Sequence, residues 1–278
     1  MRITKIHHLN CATLRLRSAR VFDRQRSLLD GSLVCVAHCL LIETSSEGLV
    51  LVDSGFATED VKNPRRVSPI FQFVFGPVWT HEQTVLAHLR ALKLDPHDVR
   101  HIVLTHLDYD HANGLADFPW ATAHVCAAEI HDVTEKRSLT NRLRYDQSRL
   151  RAHAQWDDHE LIGGEKWFAD LVLSPIKSLG EVFAFVPLRG HSAGHCGVAI
   201  RYEHKWLLDA GDAYMQQAEL LPSPDGGRRT GFFQPVMQAD GGARKDNLAR
   251  LSQLRCNHSE EVAMFCAHDK EELELFQA

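Results

Sequence analysis

Residues 105 to 111 read Thr-His-Leu-Asp-Tyr-Asp-His and follow the apolar run His101-Ile102-Val103-Leu104. That run reads as a buried strand, so the heptad falls at a strand end. It offers four ligating side chains, His106, Asp108, Asp110 and His111, within six residues. Imidazole suits zinc and other transition metals, whereas carboxylate draws a site toward harder ions. Ligands this close cannot all reach one ion from a regular strand or helix. They suit a loop that serves two neighbouring ions.

Composition narrows the setting. At 278 residues the chain is long enough for one large domain, and its 44% hydrophobic and 24% charged content is that of a soluble globular protein. A net charge of −5 argues against a general nucleic-acid binder. The seven cysteines are scattered and show no CxxC spacing, which predicts reduced thiols rather than a disulfide framework. No apolar run approaches the roughly 18 residues of a membrane span, and the first residues lack the apolar stretch of a signal peptide. A cytoplasmic protein with no membrane or nucleic-acid partner is expected. Eighteen histidines is the outlying count.

Strands are expected at 39–44 and 49–53, joined by a turn at 45–48, and then at 101–104, 122–126, 182–186, 197–202, 205–209 and 262–266. Glu203-His204 suggests a tight hairpin. Helices are expected at 80–92, with Thr80 as cap and Gln83 at the capping-box position, and at 244–255, with Leu248, Leu251 and Leu254 inward. Residues 54–77 and 222–242 read as loops, and 127–165 as polar and helical in part. Within that last segment Arg137, Arg142, Arg144, Arg149 and Arg151 read as a solvated face, with contact to an anionic substrate as the alternative. The pattern favours two packed sheets with helices outside, in a single domain over residues 1–278.

Four further strands end in His or Asp at a polar or glycine-containing turn. They are Leu49 to Asp53, Phe185 to His191 (running on to His195), Trp206 to Asp212, and Met264 to His268. A strand-end Asp alone is most often a turn former. Strand ends that converge on one sheet edge, however, build a rigid multi-ligand site. His195 reads as a support for the Gly-His turn. Asp209, His38, His101 and His124 read as sheet or surface residues.

The order Asp53, heptad, Gly190-His191, Gly211-Asp212 and Ala267-His268 resembles the metallo-β-lactamase-fold hydrolases over about residues 35 to 270. Their signature is His-x-His-x-Asp-His, then Gly-His, Gly-Asp and a late His. In general layout the chain is most similar to the quorum-quenching lactonase branch. The resemblance implies an α/β fold, a four-layer αββα sandwich of two mixed β-sheets with helices on both outer faces and two metal ions at one sheet edge. It implies His106 and His191 on the first ion, with Asp108 where the family usually has its second histidine. Asp110, His111 and His268 would hold the second ion, Asp212 would bridge, and Asp53 would orient a ligand histidine. Zinc is the first expectation for both divalent ions. Asp108 should make the site more anionic and harder, which admits iron or manganese, or loss of the first ion.

The chemistry implied is hydrolysis of a carboxylic ester, a lactone or other small ester, by a metal-bridging hydroxide. Asp110 or Asp212 would accept the proton, and Tyr214 would aim its hydroxyl at the oxyanion. A thioester hydrolase of the glyoxalase II kind is the alternative. A phosphodiesterase and a di-iron redox protein are the more distant ones. The partner is a small-molecule substrate. The aromatic segment 71–79 would cover an acyl chain or form a homodimer interface.

Overall fold

The computed structural model describes residues 1–16, 33–135, 144–221 and 238–278. Seven strands build the first sheet: β1 (Ile3–Leu16), β2 (Leu33–Thr44), β3 (Leu49–Val52), β4 (Pro77–Val78), β5 (Val99–Val103), β6 (Thr122–Cys126) and β7 (Trp156–His159), in the order β4-β1-β2-β3-β5-β6-β7. Six build the second: β8 (Glu165–Lys166), β9 (Val172–Pro175), β10 (Phe183–Pro187), β11 (Cys196–Tyr202), β12 (Lys205–Asp209) and β13 (Val262–Phe265), in the order β13-β12-β11-β10-β9-β8. Both sheets are mixed. β3, β5, β6 and β7 run parallel, and β12 runs parallel to β13, while the remaining pairs are antiparallel.

The two-residue period of the strands sets the layers. Leu40, Ile42, Val50, Val52 and Val103 of the first sheet meet Phe183, Phe185, Val198, Ile200 and Phe265 of the second in one buried layer. The alternate residues of the first sheet, Cys39, Leu41, Leu51, Ile102 and Val125, pack outward against helices. This half of the chain forms α1 (Thr58–Lys62), α2 (Pro69–Phe75), α3 (Val85–Leu92), α4 (Tyr109–Ala112), α5 (Ala127–Glu135) and α6 (Gln147–Ala152), of which α3, α5 and α6 supply Val85, Leu89, Val133 and Leu150 to that outer layer. Ala184, Val186, Ala199 and Leu208 of the second sheet pack against Leu248, Leu251 and Leu254 of α7 (Gly241–Asn257), which precedes the C-terminal α8 (Lys270–Gln277). The architecture is therefore the expected αββα sandwich. No helix among the described residues is long and apolar enough to cross a membrane.

Several expected elements move. The helix expected from Thr80 starts at Val85, because the Thr84 hydroxyl accepts from the Ala87 N–H while the Thr80 hydroxyl is engaged by Glu82. Residues 54–77 are not all loop. Pro69 sits at the first position of α2 behind the Ser68 cap, where proline's missing N–H costs nothing. α7 begins at Gly241, earlier than expected, capped by Asp240 on the Gly242 and Ala243 N–H groups. The first strand and α8 are additions to the sequence reading. The Glu203-His204 hairpin is present, with Glu203 at φ 56°. Residues 222–237, expected as loop, lie outside the described residues.

β1 and β2 also carry a half-buried imidazole pair. His8 Nδ1 lies 2.8 Å from His38 Nε2, His8 stacks on Phe276 at 4.6 Å between centroids, and His38 stacks on Phe265 at 3.9 Å. Burial, with His7 nearby, lowers His8 to about 4, and burial beside His8 puts His38 well below the usual value. In the unfolded chain both titrate near about 6.5. Protons therefore favour the unfolded state as pH falls from about 6.5 toward 4, and stability is lost over that window. The variant His8→Phe keeps the stacking and removes one titrating ring. Denaturant unfolding at pH 7 and pH 4.5 should show a smaller acid loss for it than for the wild type; equal losses would contradict this account.

Candidate metal centre

Five strands deliver polar side chains from their C-terminal ends to one edge of the sandwich. β3 delivers Asp53, β5 the 105–111 segment with α4, β10 the loop carrying His191, β12 Asp212 and β13 His268. Backbone bonds stitch the two sheets together there. The Cys196 N–H donates to Thr105 O at 3.0 Å, and the His38 N–H donates to Ala267 O at 2.8 Å.

Asp53 organises the heptad. Its backbone stands at φ 56°, a left-handed conformation that Asp tolerates better than most residues. From there Oδ1 accepts the Thr105 N–H at 2.9 Å, and Oδ2 accepts the Thr105 hydroxyl at 2.8 Å. The same Oδ2 lies 2.7 Å from His111 Nδ1, which fixes that ring with Nε2 pointing into the cluster. The chain closes behind it at Gly114, where a Cβ would sit 2.1 Å from Ser54 O.

The side chains fall into two triads around one carboxylate. His106 Nε2 and His191 Nε2 lie 3.5 and 3.1 Å from Asp108 Oδ2. His111 Nε2 and His268 Nε2 lie 3.4 Å apart, and 4.0 and 3.7 Å from Asp110 Oδ2. Asp212 faces both. Its Oδ1 is 3.3 Å from His111 Nε2 and 3.1 Å from His268 Nε2, while its Oδ2 is 3.5 Å from His191 Nε2 and 3.9 Å from His106 Nε2. These separations are those of atoms able to share an ion. His106 Nε2 is buried and finds no hydrogen-bond partner among the described residues. All seven expected ligand residues are thus brought together.

Electrostatics follow the same division. Burial alone would raise the Asp212 carboxyl, but the rings of His268, His111, His191 and His106 hold it well below the usual range. Burial opposes charge on His268, yet Asp212 and Asp110 push it up to about 9. His106, buried next to His111, is driven well below the ordinary imidazole value.

Two supporting groups set the loops. His195 Nδ1 lies 3.0 Å from Leu188 O, so that nitrogen carries the proton, and Nε2 accepts the Asp212 N–H at 2.8 Å. His195 is a positioning residue for Asp212, beyond the turn support expected of it. Asp209 accepts the Gly211 N–H at 2.8 Å and so shapes the same turn. Glu129 of α5 was not anticipated. Its carboxylate accepts the Leu107 N–H at 3.3 Å, the Ser192 hydroxyl at 2.7 Å and the Gly194 N–H at 2.9 Å. It therefore ties the heptad to the Gly-His loop.

Tyr214 is a correction. Its hydroxyl donates to Glu272 at 3.1–3.2 Å inside the outer core of the second sheet, fully buried and away from the cluster. The turn at Gly211–Ala213 aims the following residue away from the strand-end edge.

Arg144 changes the meaning of Asp108. Its Nε donates to Asp108 Oδ1 at 2.8 Å and its Nη2 to Oδ2 at 2.8 Å, a bidentate pair, while Nη1 donates to His191 O at 3.1 Å. Both side chains are buried. The guanidinium offsets the carboxylate's charge, so Asp108 does not make the triad more anionic than a third imidazole would. Arg149 instead grips Asp60 of α1 at 2.6–2.7 Å, and Arg151 donates to Thr134 O. Arg137 and Arg142 lie outside the described residues.

Removing one member of a buried ion pair leaves an uncompensated charge. Arg144→Leu should therefore destabilise the ion-free protein by about 3 kcal/mol, read from denaturant unfolding in chelator. A loss below about 1 kcal/mol would place Asp108 in the range of a solvated surface pair.

The comparisons with known proteins agree with this geometry. The chain is 35% identical over 275 residues to a probable metallo-hydrolase of Mycobacterium tuberculosis, covering 98% of this chain and 82% of that protein. Over 111 residues it is 34% identical to the N-acyl homoserine lactonase AttM of Azorhizobium caulinodans, covering 34% of this chain and 42% of the relative. In fold it is similar to a solved N-acyl homoserine lactone hydrolase with N-hexanoyl-L-homoserine bound at its catalytic metal centre. That match has a TM-score of 0.72 at 22% identity and covers 99% of this chain and 97% of the other. Residues 33–236 match the metallo-beta-lactamase superfamily, and the chain belongs to that family.

Proposed function

We propose that the chain is a metal-dependent hydrolase of a carboxylic ester, a lactone first among esters, with two divalent ions at the strand-end edge. The observation that carries this reading is Asp212, whose two oxygens face two separate ligand triads. The buried, unpartnered His106 Nε2 fits an ion as its missing partner. His106, Asp108 and His191 would hold one ion, Asp110, His111 and His268 the other, and Asp212 both. Zinc suits a site rich in imidazole whose added carboxylate is offset by Arg144. When bound, such an ion pair acidifies water toward neutral pKa and polarises the ester carbonyl.

The chain's own groups do the rest. Asp53 holds His111, and His195 holds the Asp212 backbone, so neither ligand has to reorganise as charge develops. Asp110 lines the cavity, burial raises its carboxyl above the usual range, and it is placed to take a proton from water and return it to the leaving alkoxide. Leu14, Leu16, Phe71, Phe75 and Met215 form the apolar wall of the same narrow cavity, which keeps bulk solvent from the ester. The lactonase names among the relatives support a lactone over other esters.

The test is a panel of lactones, thioesters and phosphodiesters, assayed with zinc, manganese and iron supplied separately. Lactone turnover with zinc is expected to dominate; thioester or phosphodiester turnover without lactone turnover would overturn the substrate class. His111→Ala and Asp212→Ala should each lose at least one metal equivalent. Their turnover should fall at least about a thousandfold, the scale of several kcal/mol of lost transition-state stabilisation. Retained turnover in either variant would contradict the two-ion reading.

A further inference from the structure

A third group of ligating side chains lies apart from the strand-end cluster, on the face of the first sheet that packs against the second. His124 of β6 stands opposite Asp157 of β7, and His159 follows two residues later on the same face, with its ring 5.4 Å from that of Phe185. His124 Nδ1 is 3.2 Å from His159 Nε2 and 3.2 Å from Asp157 Oδ2, and the third edge, His159 Nε2 to Asp157 Oδ2, is 3.6 Å. Atoms bound about 2.0–2.1 Å from a tetrahedral ion lie roughly 3.3–3.4 Å apart. The three atoms already form one face of such a tetrahedron.

From this geometry we infer that His124, Asp157 and His159 form a separate binding site for one divalent transition-metal ion, zinc by its nitrogen and oxygen donors. His101 supports it from behind. Its Nδ1 lies 3.0 Å from His124 Nε2, and its Nε2 lies 3.9 Å from the Glu47 carboxylate. With His124 protonated at Nε2, the proton is donated to His101 and the Nδ1 lone pair points into the triangle. This is the arrangement by which an outer partner fixes a ligand's tautomer. The Ser178 hydroxyl donates to Asp157 Oδ2 at 3.2 Å and holds that carboxylate in place. Burial lowers His124 to about 4 and also lowers His159 and His101, so the rings are neutral, the form that binds metal.

The site has a path for the ion. The His124 side chain is fully buried, whereas those of His159 and Asp157 are 18% and 39% exposed. An ion enters from the Asp157 side, and its fourth position faces solvent, open to water. Bound there, it cross-links β6 and β7, the end of the first sheet that carries no further strand among the described residues.

The test counts ions and does not depend on turnover. Protein stripped with chelator is dialysed against micromolar zinc, and zinc per chain is measured in wild type, His159→Gln and Asp157→Asn. Each variant should hold one equivalent fewer than wild type and keep wild-type catalytic activity. Equal zinc content in wild type and both variants would overturn the site. Asp157→Asn changes only a part-exposed side chain, so it carries the test if His159→Gln folds poorly. A variant with His111→Ala and Asp212→Ala should still bind one zinc that His159→Gln removes, which separates failure of this site from failure of the strand-end reading. Nitrogen-15 NMR should show His124 fixed as the Nε2–H tautomer on zinc addition; an unchanged ring spectrum would contradict ligation by Nδ1.

Discussion

One carboxylate, Asp53, holds the strand-end edge in order. It sits in a left-handed backbone conformation at the end of β3 and bonds at once to the Thr105 N–H, the Thr105 hydroxyl and His111 Nδ1. Those three bonds set where the heptad leaves β5 and which nitrogen of His111 faces inward. Glu129 repeats the device between the heptad and the Gly-His loop, and His195 repeats it for Asp212. Three of the four loops that bear candidate ligands are thereby held by a buried polar group that is not itself a candidate ligand. Such bonds remove the reorganisation that a charged site would otherwise undergo as its ligands gather.

The Asp108–Arg144 pair gives the centre its individual character. A carboxylate in place of imidazole would add negative charge to a cluster that already holds Asp110 and Asp212. The bidentate guanidinium cancels that addition while leaving Asp108 Oδ2 facing His191 and His106. Arg144 also bonds to His191 O, so one side chain links both outer members of the first triad. Burial makes the pair interdependent: neither partner can be lost without leaving the other charged and dry.

The candidate ligand residues were legible because each lies just after a short apolar strand, at a turn, in an order that a strand-end site requires. The two packed sheets followed from the same strands. Arg144 and Glu129 were not legible. Arg144 belongs to a charged run with no periodicity, and nothing local says which arginine turns inward. Glu129 works through tertiary contacts with loops 22 to 65 residues away in sequence. Tyr214 misled because closeness in sequence to Asp212 carries no information about direction across a tight turn. Residues 54–77 read as loop, yet Pro69 starts a helix there. The long first strand was obscured by His, Asn and Thr among its apolar residues and by two register shifts.

The central claim is that two ions share Asp212. Crystals of the zinc-loaded protein, measured on both sides of the zinc absorption edge, test it directly through anomalous scattering. The account predicts two zinc peaks flanking Asp212, one among His106, Asp108 and His191 and the other among Asp110, His111 and His268. A single peak at this edge, or peaks that leave either triad empty, would contradict it.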